Sequence, residues 1–161
     1  MGLSVGPTPW WQNNLIHRCP VGTSLLDGSR IICKSGGTAW IVAPYCTELS
    51  SSWAGGQYNT TVVGDKCCIC EWSGLENQLI DCGFNPCDWF IPSFNQMCNP
   101  GYVCRSNWDC FQPGSDIACA YWSSTEFNAI CACYQCTNCV AVCTTKGSCS
   151  LRVRAFRCVT Y

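Results

Sequence analysis

Arg30-Ile31-Ile32-Cys33-Lys34-Ser35-Gly36-Gly37-Thr38-Ala39-Trp40-Ile41-Val42-Ala43 is the stretch that decides the fold class. Two short runs rich in β-branched and aromatic residues, 30–33 and 39–43, flank Ser35-Gly36-Gly37. Such glycines supply the positive-φ backbone that a tight turn between antiparallel strands requires. The stretch therefore predicts a β-hairpin.

Reading upstream, the first eighteen residues are polar, contain proline and show no period. They predict an N-terminal arm, with 1–29 as lead-in and 30–161 as the domain. His17, the single histidine, falls in this lead-in and is expected at the surface. Downstream, residues 47–59 are rich in Ser, Gly and Asn and predict a surface loop with Trp53 as its inward anchor. Asn59-Thr60-Thr61 is a glycosylation sequon, a three-residue pattern that arises often by chance. Leu75, Leu79 and Ile80 recur at helical spacing before Gly83, which predicts a short helix within 71–82. Ser93 followed three residues later by Gln96 predicts a capping box on a brief helix that ends before Asn99-Pro100-Gly101. Tyr121-Trp122 and residues 131–135, 140–144 and 151–159 predict strands separated by turns, Lys146-Gly147 among them. The fold class expected is α+β.

A chain of 161 residues fits one domain large enough to bury its core without cross-links. Its 19 cysteines are therefore surplus to minimal folding, and they predict an oxidising, extracellular setting with many disulfides. The number is odd, so at least one thiol stays free, is blocked or pairs with another chain. Charged residues make up 12% of the chain and the net formal charge is −1, which leaves no basic field for nucleic acid. The apolar runs fall short of the ~20 residues of a membrane helix, so no membrane insertion is expected. Eight Trp, six Tyr and six Phe suit a loop-rich recognition module.

Each chemical motif meets a simpler reading. Cys133-x2-Cys136-x2-Cys139-x3-Cys143 has the spacing of bacterial ferredoxins, but Thr144 stands where they place proline, and the segment is strand-like. Cys67-Cys68-x-Cys70 with Cys82-x4-Cys87 offers thiolates for zinc, although adjacent cysteines chelate poorly together. One histidine in a lead-in does not support Cys–His catalysis. Glu71, Glu76 and Asp81 read as a solvated helix face. No P-loop, dinucleotide turn or nucleophile elbow occurs in the sequence. The expectation is a protein that is not an enzyme and needs no cofactor.

Three phrases carry a resemblance: Asp88-Trp89-Phe90-Ile91-Pro92-Ser93, Tyr121-Trp122-Ser123-Ser124-Thr125-Glu126-Phe127, and Arg152-Val153-Arg154-Ala155-Phe156-Arg157. In that order, over residues from about 30 to 161, the chain resembles the C-terminal domain of Legionella collagen-like adhesins. The resemblance implies a C-type-lectin-like domain of twisted antiparallel strands, with one or two short helices and long loops. Asn99-Pro100-Gly101-Tyr102-Val103-Cys104-Arg105 and the Cys158-Val159-Thr160-Tyr161 ending look most like the copies carried by marine cyanophages.

What the resemblance implies is a non-enzymatic virion protein: a tail, fibre, neck or capsid-decorating component. Its partners would be other virion proteins or copies of itself, with host-surface glycan or protein as a further partner. A secreted adhesin is the alternative, and an iron–sulfur or redox protein the third reading. Residues 1–11 show no secretory signal; either one was removed, or the chain is made in a cytoplasm and oxidised after lysis, in the virion. Met1-Gly2 starts like a myristoylation signal, but Gly6 stands where Ser or Thr is needed.

This chain departs from the relatives in placing Cys131, Cys133, Cys136, Cys139 and Cys143 where they have Asn, Ser and Thr, so sugar recognition does not carry over and the ligand-binding residues stay unassigned. With these, Cys33, Cys46, Cys67, Cys68, Cys70, Cys82, Cys87, Cys98, Cys104, Cys110, Cys119, Cys149 and Cys158 are the disulfide candidates, their connectivity open. The motif residues read first as structure: Trp89, Phe90 and Trp122 as core, and Arg152 and Arg154 on one strand face, pairing with Glu126 or Asp88 to fix strand order.

Overall fold

Residues 16–108, 120–135 and 142–161 are described by the structure, a computed structural model. The strands are β1 (Arg30–Ser35), β2 (Thr38–Val42), β3 (Leu49–Ser51), β4 (Tyr121–Glu126), β5 (Cys131–Gln135), β6 (Val142–Thr145), β7 (Leu151–Val153) and β8 (Phe156–Thr160). They form two sheets, ordered β1-β2-β8 and β3-β7-β4-β5-β6, in which every pairing is antiparallel except β4 with β7. Short helices, among them α1 (Leu75–Asp81) and α2 (Phe94–Gln96), complete an α+β architecture over the described residues.

The opening hairpin forms as its sequence predicts. Ser35 pairs with Thr38, leaving Gly36 and Gly37 as a two-residue turn with φ of 59° and 81°. Positive φ at both centres matches the strand twist, which is why two glycines occupy them. The near-continuous apolar runs have a physical cause in the packing. Ala39 and Ile41 face one buried cluster, while Val42 and the half-buried Trp40 face a second, so the sheet is covered on both sides. In β1, Ile31 joins the first cluster, and a register shift between Ile31 and Cys33 brings Ile32 and Cys33 both toward the second. A bulge of this kind lets successive residues share a face.

Both helix ends follow their sequence signals. Gly83 has φ of 90°; its N–H donates to the Ile80 carbonyl at 2.9 Å, and that of Phe84 to Leu79 at 3.0 Å. This is the paired C-terminal arrangement that a left-handed glycine permits. Ahead of α2, the Gln96 N–H donates to Ser93 Oγ at 3.2 Å and the Ser93 N–H to Gln96 Oε1 at 2.9 Å. Ser93→Ala is expected to cost about 1 kcal/mol, read from the urea midpoint at unchanged slope.

Two strand expectations are corrected. The loop of 47–59 contains β3, which pairs with β7; its three residues carry no period by which to recognise a strand. The single strand expected over 151–159 divides at Arg154-Ala155, because β7 belongs to the larger sheet and β8 to the smaller. Leu151, Val153, Ala155 and Phe156 are all buried, so the apolar pattern runs through the crossing without a visible break.

Residues 16–29 lie against the sheets. Ile16 is buried in the first cluster, and Lys34 Nζ donates to the carbonyls of Ile16 at 2.6 Å and Cys19 at 2.8 Å. His17 is exposed and stacks on Tyr161 with ring centres 5.8 Å apart. Trp53 is fully buried, and its Nε1–H donates to the Ser123 carbonyl at 2.9 Å.

Candidate functional site

The three motif phrases meet where the two sheets join. Asp88 ends a short turn, Pro86–Asp88, and the buried Trp89 packs edge-on against Phe84 at 5.5 Å. Phe90 exchanges two backbone hydrogen bonds with Phe156 at the start of β8, while the buried Pro92 accepts the Ser124 N–H of β4 at 2.8 Å. The segment thus clips one sheet to the other. Trp122 is fully buried and its Nε1–H donates to the Ser51 carbonyl at 2.8 Å; Ser123 Oγ donates to the Cys133 carbonyl at 2.7 Å. Thr125 Oγ1 accepts the Phe94 N–H at 2.9 Å and so fixes α2 to β4.

Two buried charge networks sit beside these phrases. In the first, Arg154, whose side chain is 0% exposed, donates from Nη2 to Glu48 Oε1 at 3.0 Å. Arg152 Nε approaches the other oxygen at 3.8 Å, and the Tyr121 hydroxyl donates to Oε1. The Arg154 guanidinium lies over the rings of Tyr45 and Trp108 at 5.4 and 5.5 Å. Burial, with the hydrogen bond to Glu48, pushes the Tyr121 phenol well above its ordinary range.

In the second network, Lys146 Nζ donates to Glu126 Oε2 at 2.7 Å and to the Thr61 carbonyl at 3.1 Å, with side chains 0% and 6% exposed. Val63 and Gly64 give their N–H groups to the same carboxylate at 3.0 and 2.9 Å. Glu126 therefore ties the 61–64 loop to the end of β4. Lys146 also stands 4.9 Å above the Trp53 ring.

The expected pairing of the arginines with Glu126 is thereby corrected. Glu126 takes Lys146, and Arg152 and Arg154 meet Glu48. Sequence reading missed Glu48 and Lys146 because each lies in a polar, turn-rich stretch that signals solvent. Their burial comes from strands far away in the chain.

Burial alone would raise the Glu126 carboxyl, but Lys146 and the two amides outweigh it and hold the group below its ordinary 4.5. A carboxyl lowered on folding contributes stability at neutral pH, which is lost as pH falls through the folded value. The urea midpoint is expected to hold from pH 7 to about pH 5 and to drop below that, with Glu126→Gln flattening the acid limb.

Cysteines form the remaining chemical feature. The expectation of many disulfides meets a different state: every described cysteine except the disulfide-bonded Cys98 is a free thiol. Cys110, Cys119, Cys136 and Cys139 lie outside the described residues. Cys46, Cys67, Cys68, Cys70, Cys87 and Cys158 are exposed, while Cys131 and Cys149 are half-buried. Cys68, Cys70 and Cys87 line a cleft of about 160 Å³ with Ile69, Glu76, Pro86 and Trp89. That is well below the ~300–1,000 Å³ of a typical small-molecule pocket.

Among the described residues, no group of three or more His, Cys, Asp or Glu side chains is gathered to hold a metal ion. Cys133 and Cys143, the described members of the ferredoxin-like spacing, stand opposite each other on β5 and β6 with Sγ atoms 2.8 Å apart. Two thiolates on one tetrahedral zinc lie about 3.8 Å apart, given zinc–sulfur bonds of ~2.3 Å. The two sulfurs are therefore closer than a shared tetrahedral zinc would set them. Among the described residues no helix is long and apolar enough to cross a membrane. No protein-family model and no curated protein matches the chain.

Proposed function

We propose that this chain is a non-enzymatic virion component of a phage, a tail, fibre, neck or capsid-decorating protein, built on a C-type-lectin-like domain. The reading is supported most directly by where the cysteines lie. Two apolar clusters rich in Trp, Ile, Leu, Val and Phe form the core, while six of the described cysteines are exposed. Surface thiols on a fold that does not need them suit an assembly hardened after release into an oxidising medium. The lectin-like part is supported by an α+β chain with two sheets and short helices inserted between β3 and β4. The buried charges point the same way, since Glu48, Glu126, Lys146 and Arg154 are engaged in joining strands and loops.

Mass spectrometry of density-purified phage particles tests this proposal. The chain is expected at fixed stoichiometry to the major capsid protein. Recovery in the secreted or cell-surface fraction of a bacterial host, and not in particles, would favour the adhesin reading.

A further inference from the structure

We propose that Cys46–Cys82, Cys33–Cys104 and Cys133–Cys143 are intrachain cystines of the oxidised protein. This connectivity goes beyond the functional reading above and stands whether or not the chain is found in particles. Each pair joins elements distant in sequence or opposite in a sheet, and each is already held in place by other contacts.

Cys133 and Cys143 are direct partners across the antiparallel strands β5 and β6. Opposite residues in such a ladder have Cα atoms about 4.5–5.5 Å apart, inside the ~4.4–6.8 Å that a disulfide spans. The Sγ atoms, at 2.8 Å, are closer than two non-bonded sulfurs ordinarily approach. Cys46 lies in a short turn, Tyr45–Thr47, and Cys82 caps the end of α1. The Cys46 thiol is near enough to push the Cys82 thiol up, and Gln78 of α1 holds the turn by donating to the Cys46 carbonyl at 2.6 Å.

Cys33 lies on β1 beside its bulge, and Cys104 precedes the turn Arg105–Asn107. Cys33 is near enough to push the Cys104 thiol up together with burial, and Asn107 fixes that turn to β1 by donating to the Ile32 carbonyl at 3.2 Å. Cys68 and Cys70 are also neighbours, but they belong to one short turn, and a bridge there would close almost no chain.

The oxidant is a small-molecule disulfide. The exposed Cys46 attacks it as thiolate, forming a mixed disulfide and releasing one small thiol. Cys82, half-buried, then attacks the Cys46 sulfur as thiolate and expels the second. Two protein thiols are oxidised, one small disulfide is reduced to two thiols, and both protons end on those products. The order follows exposure: burial first, then the neighbouring Cys46, pushes the Cys82 thiol up to about 12. Cys133 is likewise pushed to about 12 by burial and by Cys143, so the less buried Cys143 starts that bridge.

The test uses the full-length chain, reduced and then equilibrated with glutathione disulfide, alkylated, and digested without reduction. Three cross-linked peptides joining these pairs are expected, each lighter by two hydrogen atoms than its separate parts. Alkylation of these six cysteines, or their bonding to other cysteines, would overturn the assignment. In Cys82→Ser, alkylation of Cys46 should rise from a trace to near completion while the other two bridges still form. Cys46 bridged as fully to a different cysteine would refute that pair.

Discussion

Glu48→Gln is expected to destabilise the protein by about 3–5 kcal/mol, the largest effect of any single substitution considered. Arg154 is fully buried and Glu48 is 8% exposed, so neither charge has solvent to fall back on. The amide keeps an oxygen that can accept from Arg154 or Tyr121 but carries no charge, so the buried guanidinium loses the carboxylate that it faces at 3.0 Å. Against a typical stability of roughly 5–15 kcal/mol, this is about a fifth or more of the total. In thermal unfolding it corresponds to a drop of roughly 6–20 °C for a chain of this length. Glu48→Asp keeps the charge and should recover part of the loss. If Glu48→Gln unfolds within a degree of the parent, the buried network does not hold these strands together.

Lys146→Met is the second large effect, expected at about 3 kcal/mol or more. Methionine keeps the apolar stem against Trp53 but removes the cation 2.7 Å from Glu126, leaving the carboxylate the Val63 and Gly64 amides and the more distant charge of Lys66. Breaking a buried pair from one side costs more than removing both partners, because the remaining charge is stranded. The double variant Lys146→Met with Glu126→Leu is therefore expected to be more stable than the sum of the single losses predicts, by at least 1 kcal/mol in a double-mutant cycle. Hydrogen exchange at the Val63 and Gly64 amides should quicken in Lys146→Met, since these donors follow the carboxylate. Simple additivity would show that the two residues act independently.

Local signals were read well from the sequence because their physics is local. The Gly36-Gly37 turn, the Ser93 and Gln96 capping box, the Gly83 helix end and the inward Trp53 each depend on residues within a few positions, or on the cost of exposing an indole. The α+β class follows from them. The break at Arg154-Ala155 did not show, because burial on both sides of the crossing produces one unbroken apolar pattern. Strand β3 did not show because three polar-flanked residues carry no period. The polarity of Glu48 and Lys146 signalled solvent, and only the approach of β4, β7 and the 61–64 loop turns them into buried charges.

The cysteines divide in the same way. Their number alone determined that this chain carries far more thiol than its core requires, with an odd one left over. Which thiols face one another was decided by the tertiary structure. Spacing along a chain fixes neither the register of β5 on β6 nor the docking of a turn against α1, and a disulfide forms only where two sulfurs are brought within bonding reach.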